Sequence, residues 1–372
     1  MFLRRNERSI QFEGTAMFDR RTVLAGCLCS GIALRQAWAL HPAGKDDPQV
    51  DAFVRTNHFH GVVVKAHEGR IRYARAFGMA DITASRPARV NTVYAIASIS
   101  KWLTSVTLLR LIEQGKATLD APITALLPDF RAHTGARVKL VHLLSNTSGI
   151  PNGFIAAARL DPSLTTTDLG TAESVRRFCQ GDLAFEPGSK FDYAMTNWFI
   201  LLAIVERLAG MPFQQAMQRI TLDPLGLGHT GTNGAGAASS YRTIDPPVLW
   251  PDPRTPVMAA GGGYFSDAAD LVRAAHGVFD RGFLKPASIA ALRTIHVPEQ
   301  DYSLGGRVRT MTIDGKPVQA AWQTGRTAGY RSVLAHRYDD RSTVVILSNT
   351  GLSQKLLDQF ADQLFGAEPR SA

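Results

Sequence analysis

Residues 307–351 read RVRTMTIDGKPVQAAWQTGRTAGYRSVLAHRYDDRSTVVILSNTG, a block rich in strand-forming residues. Turn signals interrupt this block at Asp314-Gly315 and at Asp339-Asp340, as expected between antiparallel strands. An amphipathic segment, SQKLLDQFADQLFGA at 353–367, follows directly. The block therefore predicts antiparallel strands that end in a helix close to the end of the chain.

A second strand-rich segment lies near the other end of the chain. Residues 60–81, HGVVVKAHEGRIRYARAFGMAD, alternate between apolar and polar side chains and break at Glu68-Gly69, which predicts a β-hairpin. Helical periods dominate between the two blocks, at 98–114, 196–209 and 266–280. The predicted class is α/β of the α+β type: an antiparallel sheet built from both chain ends, flanked by helices, with an inserted, mostly helical lobe.

The predicted catalytic unit is residues 40–372. We assign 48–97 and 300–372 to an α/β lobe and 98–299 to the helical lobe, with the expected site in a cleft between them. Residues 233–256 are rich in Gly and Pro and too long for a plain connector, so we expect them to line that cleft. A chain of 372 residues with 45% hydrophobic residues can bury a large core, which excludes a disordered tail or a coiled coil.

The first 39 residues predict an export signal. MFDRRTVLAGCLCSGIALRQAWA, which begins at Met17, has paired arginines at Arg20 and Arg21, a short apolar run and a small-residue cleavage pattern. We therefore expect an exported, periplasmic protein that uses a twin-arginine route, with Met17 as a candidate true start. The run is too short and too charged for stable membrane insertion. A frayed cytosolic amphipathic end and lipidation at Cys27 are the alternatives left open.

The cysteine content and the charge pattern indicate which disulfides and which binding partners to expect. Removal of the leader takes Cys27 and Cys29 with it and leaves Cys179 alone, so no internal disulfide is expected in the exported domain. The formal net charge is +9, but lysine and arginine are scattered along the chain rather than arranged in a stripe. We therefore expect no nucleic-acid partner.

Ser98 and Lys101 stand three positions apart in YAIASISKWLTSVTLLRLIEQG, residues 94–115. On a helix these positions share a face, so the two side chains can touch. A serine hydroxyl becomes a good nucleophile when a neutral amine takes its proton, and apolar surroundings favour the neutral form of an amine. Taken alone, the spacing is a weak signal, because a helix cap followed by a surface lysine is the more common explanation of it.

Several segments in order resemble the penicillin-recognising serine hydrolases, specifically the class C β-lactamase-like group of β-lactamases, D-alanyl-D-alanine carboxypeptidases, D-aminopeptidases and esterases. The segment at 94–115 resembles the family's SxxK helix. The others, which extend the resemblance over roughly 50–365, are VHLLSNTSGIPN (141–152), DPLGLGHTGT (223–232), AAGGGYFSDAADLVR (259–273) and WQTGRTAGYRS (322–332).

The resemblance implies a set of site residues. It places the nucleophile at Ser98, its amine at Lys101 and the catalytic tyrosine at Tyr193 in FDYAMTN. The backbone N–H groups of Ser98 and Arg326 would form the oxyanion hole. The substrate-binding strand would contribute Gln323, Thr324 and Gly325, with the glycine letting the strand lie against the substrate. No cofactor and no metal are expected.

Two positions depart from the family pattern and bear on the substrate. Met195 stands where an asparagine usually binds the lysine and the substrate amide, and Asn197 is not expected to replace it. Gln323 is neutral where a lysine usually faces a substrate carboxylate, so Arg326 or Arg331 would have to compensate.

These features predict a serine hydrolase that acts through an acyl-enzyme on Ser98, on a small-molecule ester, amide or peptide. Esters and small amides fit best, because their leaving groups need less recognition. Two alternatives stay open: a D-alanyl-D-alanine carboxypeptidase or β-lactamase, and a non-hydrolysing protein that binds penicillin or peptidoglycan peptide. The sequence contains no GxSxG elbow, P-loop or CxxC pair, which argues against an α/β-hydrolase and a nucleotide enzyme.

Overall fold

Strands from the two ends of the chain share one sheet. The computed structural model describes residues 46–368, and the predicted leader lies outside them. A six-stranded antiparallel sheet has the order β2-β1-β12-β11-β10-β9. The strands are β1 Gly61–His67, β2 Arg70–Phe77, β3 Met79–Asp81, β4 Arg86–Pro87, β5 Tyr94–Ala95, β6 Tyr241–Ile244, β7 Pro247–Leu249, β8 Phe265–Ser266, β9 Arg307–Ile313, β10 Lys316–Thr327, β11 Tyr330–Arg337 and β12 Ser342–Ser348.

The predicted helical periods are helices in the structure. The period at 98–114 is α2, the period at 196–209 is α8, and the period at 266–280 is α12. The helices are α1 Pro48–Asn57, α2 Ile99–Glu113, α3 Ile123–Leu126, α4 Ala132–Gly135, α5 Leu140–Leu144, α6 Gly153–Leu160, α7 Thr171–Phe178, α8 Met195–Ala209, α9 Phe213–Met217, α10 Asp223–Leu225, α11 Ala259–Gly262, α12 Ala268–Asp280, α13 Pro286–Arg293 and α14 Gln354–Leu364.

The predicted hairpin at 60–81 is confirmed. Strands β1 and β2 pair in antiparallel register and turn at Glu68-Gly69, where both residues have positive φ. That conformation fits the tight two-residue turn of a hairpin. The predicted fold, an antiparallel sheet built from both chain ends with helices between, is therefore confirmed.

Both faces of the sheet are covered. Along β12, Val344 and Ile346 pack into one apolar cluster with the terminal helices, whereas Val345 and Leu347 pack into the larger cluster that contains α2 and α8. Successive side chains of a strand point to opposite faces, so a strand buried on both sides needs a continuous apolar run. The sequence of β12 has such a run, which explains its place in the middle of the sheet.

The region predicted as helical also contains strands. Residues 233–256 contain the hairpin β6–β7, and β8 pairs with β5 through Tyr94↔Ser266 and Ala95↔Phe265. The division of 40–372 into two lobes stays a prediction. Among the helices at 46–368, none combines the length and apolarity that a membrane crossing requires.

Candidate active site

Ser98 is the N-cap residue of α2 and lies three residues after the end of the short strand β5. Ala97 has a positive φ of 46°, which is uncommon for a residue with a side chain. Its neighbour Ile96 is fixed by a hydrogen bond from its N–H to the carbonyl of Tyr264. This turn puts the Ser98 hydroxyl at the N-terminal end of α2, where the helix dipole favours negative charge.

Lys101 is buried one helical turn after Ser98. Its Nζ donates a hydrogen bond to Ser98 Oγ at 3.2 Å and a second one to the carbonyl of Gly261. The rings of Tyr193 and Trp198 lie near the same nitrogen, with their centroids 4.8 and 5.4 Å away. None of these four partners carries a carboxylate. Among these contacts, therefore, no carboxylate competes with the Ser98 hydroxyl for Lys101 Nζ.

Tyr193 completes a group of three. Its phenol Oη donates a hydrogen bond to Ser98 Oγ at 2.8 Å, and 41% of the residue is exposed to solvent. The Ser98 oxygen thus lies within hydrogen-bond distance of both the Lys101 amine and the Tyr193 phenol. The structure brings the three residues named by the sequence together, and their catalytic roles stay a prediction.

Gly325 on β10 lies close to the backbone of Ile96. A Cβ atom at this position would lie 2.1 Å from the carbonyl oxygen of Ile96 and 2.3 Å from Ser332 Oγ. Ser332 Oγ itself donates to the Ile96 carbonyl at 3.0 Å. The missing side chain therefore lets β10 lie against the backbone that leads to Ser98.

Replacing Gly325 by alanine is expected to lower the free energy of unfolding by about 1–3 kcal/mol, because the new Cβ would displace backbone rather than a flexible side chain. Thermal unfolding measures this change. Gly228→Ala is the matched control, since a Cβ at Gly228 would meet no atom within 4 Å. Equal melting temperatures for the two variants would contradict this account of the glycine.

Gln323 and Thr324 point to opposite faces of β10. Gln323 is 5% exposed, and its side chain fills the space above Gly306, where a Cβ would lie 1.6 Å from Gln323 Oε1. Thr324 lines a groove of about 900 Å³ on the other face, beside Trp322 and α14. Strand β9 pairs with β10 only as far as Trp322, so β9 leaves the following part of β10 uncovered. Substrate binding by Gln323, Thr324 and Gly325 stays a prediction.

Arg331 is unable to supply the positive charge that the neutral Gln323 does not offer to a substrate carboxylate. Its guanidinium donates to three backbone carbonyls, those of Leu352, Ala328 and Tyr330, at 2.6–2.8 Å. Burial, with the nearby charge of Arg326, lowers the pKa of Arg331. The suggestion that Arg331 binds a substrate carboxylate is therefore wrong, because the side chain is only 8% exposed and committed to the protein. Arg326 is exposed at the end of β10 and keeps its predicted role.

Met195 occupies the first turn of α8 beside the lysine site. Its sulfur packs on Gly261, the residue whose carbonyl accepts from Lys101, and a Cβ at Gly261 would lie 2.5 Å from that sulfur. Asn197 is buried and bonds elsewhere: its Nδ2 donates to Asn146 Oδ1 at 3.1 Å, and its Oδ1 accepts from Ser148 Oγ at 2.6 Å. The Asn197 amide is therefore used elsewhere and does not replace the asparagine that is missing at Met195, as expected from the sequence.

The segment 233–256 lies against the end of β10. Thr327 Oγ1 donates to Asp252 Oδ1 at 2.6 Å. A cavity of about 260 Å³ lies beside this contact, lined in part by Leu249, Trp250 and Phe265. Phe265 pairs with Ala95, three residues before Ser98. This arrangement agrees with the expectation that the segment borders the site.

Within residues 46–368, His229, Asp267 and Asp270 could hold a metal ion by geometry. Asp270 already accepts from the His229 N–H at 2.7 Å and from Thr230 Oγ1 at 2.9 Å, and it also pairs with Arg273. Asp267 caps α12 through the N–H of Asp270 at 2.8 Å. Burial, together with the charge of Asp270, raises the pKa of Asp267. These bonds give both carboxylates a structural role at the start of α12.

Two features near Ser98 were not predicted. Ala97 has a positive φ next to Ile96, whose N–H bonds the carbonyl of Tyr264, and alanine gives no local signal for that conformation. Tyr302 lies with its ring 6.3 Å from the ring of Tyr193, at an interplanar angle of 89°. A single aromatic residue in the sequence usually indicates core packing, so nothing distinguished Tyr302 from other tyrosines.

Comparisons with known proteins show that the chain is similar to an esterase and to a penicillin-binding protein. Esterase EstB of Burkholderia gladioli is 33% identical over 201 residues, which cover 51% of this chain and 51% of the relative. The match thus spans about half the length of EstB. Penicillin-binding protein 4* of Bacillus subtilis is 24% identical over 342 residues, which cover 83% of this chain and 73% of the relative.

Two solved structures show the same fold. EstCE1, described as a hydrolase with promiscuous acyltransferase activity, superposes with a TM-score of 0.72 and 26% identity over 86% of this chain and 98% of its own. The octameric penicillin-binding protein homologue from Pyrococcus abyssi has a TM-score of 0.73 and 22% identity over 85% of this chain and 76% of its own. A model of the Beta-lactamase family matches residues 47–364, and the chain belongs to that family.

Proposed function

We propose that this protein is a serine hydrolase that cleaves esters or small amides through an acyl-enzyme on Ser98. The observation that carries the proposal is the position of Ser98 Oγ, 3.2 Å from Lys101 Nζ and 2.8 Å from Tyr193 Oη. Two groups that can exchange protons thus contact one hydroxyl at the end of a helix. This is the arrangement that activates a serine.

The reaction follows from these contacts. The Ser98 proton passes to the member of the pair that is in its basic form, the neutral Lys101 amine or the Tyr193 phenolate, and Oγ attacks the carbonyl carbon of the substrate. The backbone N–H groups of Ser98 and Arg326 would stabilise the oxyanion that forms. The carbon–oxygen bond of the ester then breaks, and the proton returns to the leaving alcohol. Water hydrolyses the Ser98 ester by the same steps in reverse and releases the acid.

The surroundings of the three residues favour esters over penicillins and D-alanyl-D-alanine peptides. Met195 offers a thioether where an amide would be needed to orient a substrate amide. Gln323 is neutral and buried against Gly306, so it provides no cation for a substrate carboxylate. An ester needs neither contact. The 33% identity with an esterase over half of its length supports the same choice.

The same two substitutions favour a second candidate, a protein that binds penicillin or a peptidoglycan peptide and turns it over slowly or not at all. For both candidates we propose small-molecule substrates and an exported, periplasmic location, which the paired Arg20 and Arg21 support.

A substrate panel separates the candidates. Purified protein is mixed with p-nitrophenyl butyrate, a chromogenic cephalosporin, a fluorescent penicillin and a D-alanyl-D-alanine peptide. We expect kcat/KM for the ester to exceed that for the cephalosporin by about 100-fold, since buried polar contacts to the lactam are missing. Stable penicillin labelling without ester turnover would indicate the binding protein, and release of D-alanine would indicate a carboxypeptidase.

A further inference from the structure

Tyr302 is a buried aromatic residue that supports the exposed ring of Tyr193. Tyr302 is 1% exposed and lies in the loop just before β9. Its ring meets Tyr193 edge to face, with centroids 6.3 Å apart, and meets Phe191 at 5.1 Å. Edge-to-face pairs of this kind are favourable beyond simple burial of area. The orientation of the Tyr193 ring therefore depends on a neighbour that is itself fixed in the core.

A chain of buried hydrogen bonds fixes the Tyr302 hydroxyl. Ser148 Oγ donates to Asn197 Oδ1 at 2.6 Å, and Asn197 Nδ2 donates to Asn146 Oδ1 at 3.1 Å. Asn146 Nδ2 then donates to Tyr302 Oη at 2.9 Å. All donors in the chain point towards Tyr302, so each bond polarises the next one. The position of the Tyr302 oxygen is thereby set by three residues of the helical region.

Asn146 also holds the backbone next to Tyr193. It has a positive φ of 56°, and its carbonyl accepts a hydrogen bond from the N–H of Asp192 at 2.8 Å. Asp192 is the residue immediately before Tyr193. One asparagine thus binds Tyr302 through its side chain and the Tyr193 segment through its backbone. Tyr193 is held both at its ring and at its main chain.

The loop that carries Tyr302 packs closely against the helix that carries Lys101. Gly305 has a φ of 75°, and a Cβ there would lie 2.7 Å from the carbonyl oxygen of Lys101. The N–H of Gly305 donates to the Leu144 carbonyl at 2.9 Å, two residues before Asn146. The loop therefore joins the lysine helix, the asparagine and the tyrosine in one fixed arrangement.

Building on the proposed hydrolase function, we propose that Tyr302 is a positioning residue that keeps the Tyr193 phenol on Ser98. Tyr302 acts through Tyr193 and does not exchange protons itself. Burial, with the neighbouring Tyr193, raises the pKa of Tyr302 well above its usual range, which keeps this phenol neutral at working pH. Its contribution is geometric: a displacement of the Tyr193 oxygen by about 1 Å is enough to cost a large part of the rate.

Kinetics of two variants test the proposal. We expect Tyr302→Leu to lower kcat for p-nitrophenyl butyrate by about 10- to 100-fold while KM stays within about 2-fold. Tyr302→Phe keeps the ring contacts and loses only the bond from Asn146, so it should regain most of the lost kcat. Tyr338→Leu is the control, because Tyr338 packs on Phe279 with centroids 5.3 Å apart and takes no part in the site. A leucine variant with wild-type kcat, or one altered only in KM, would overturn the proposal.

A crystal structure of Tyr302→Leu gives a readout that does not require activity. We expect the distance from Tyr193 Oη to Ser98 Oγ to grow beyond hydrogen-bond range from its present 2.8 Å. An unchanged distance would overturn the positioning role. If Tyr302→Leu fails to fold, Tyr302→Met, which fills the space without a ring, is crystallised instead, and a Tyr193 Oη still within hydrogen-bond distance of Ser98 Oγ would overturn the proposal equally. Absence of ester turnover by the wild-type protein, with Tyr193 displaced in the variant, would refute only the hydrolase function.

Discussion

Ser98→Ala is expected to reduce ester turnover by at least about 10⁴-fold, as found when the nucleophile of other serine hydrolases is removed. Ser98 Oγ is the atom that would form the bond to the acyl group, and both Lys101 and Tyr193 direct a hydrogen bond at it. Without this oxygen, the two proton carriers have no group to activate. The measurement is kcat/KM for p-nitrophenyl butyrate, together with the intact mass of protein quenched during turnover.

Ser105→Ala is the matched control for this substitution. Ser105 lies on the same helix, where its Oγ donates to the Lys101 carbonyl at 3.0 Å. We expect its turnover to stay close to that of the wild type, and the quenched wild-type protein to carry one acyl group on Ser98. An active Ser98→Ala protein, or an acyl group found on another residue, would refute the proposed mechanism.

Lys101→Met is expected to lower kcat by about 10³-fold with little change in KM, because the substitution removes a proton acceptor that acts on the reacting hydroxyl. Methionine has a similar length and fits the apolar slot beside Tyr193 and Trp198, so the fold should survive. The carbonyl of Gly261 loses its donor, which costs about 1–3 kcal/mol of stability. Steady-state kinetics and thermal unfolding measure the two effects separately.

Lys116→Met is the control for the lysine. The Lys116 ammonium also donates to a backbone carbonyl, that of Leu208 at 2.9 Å, but it lies exposed beyond the far end of α2. We expect no change in kcat for this variant. If Lys101→Met kept more than about a tenth of the wild-type kcat, Tyr193 alone would have to serve as the base.

Much of the sheet could be predicted because its strands carry a periodic signal. The alternation in β1 and β2 and the turn at Glu68-Gly69 indicated the hairpin without any tertiary information. Strands β5 and β8 are two residues long and have no such period. Their pairing depends on contacts between residues about 170 positions apart, yet it is this pairing that fixes the approach to Ser98.

The candidate site could be predicted only in part for a related reason. Ser98 and Lys101 share one helix, so their proximity follows from helical spacing. Arg331 was misassigned because a charged side chain in a strand gives no sign that three backbone carbonyls will bind it. Tyr302 was missed because its role depends on a hydrogen-bond chain from residues more than a hundred positions away. The contacts of Arg331 and Tyr302 join distant segments of the chain, so they can be identified only from the folded structure.

The pairing of β1 with β12 has a consequence for biosynthesis. Gly61 faces Ser348 across the middle of the sheet, so β1, the first strand among the described residues, must wait for β12, the last of them. Until then the early hairpin carries an unpaired apolar edge, which is open to wrong partners. A message truncated before residue 342 would therefore yield a product that lacks β12, and the sheet can close only after β12 has been synthesised.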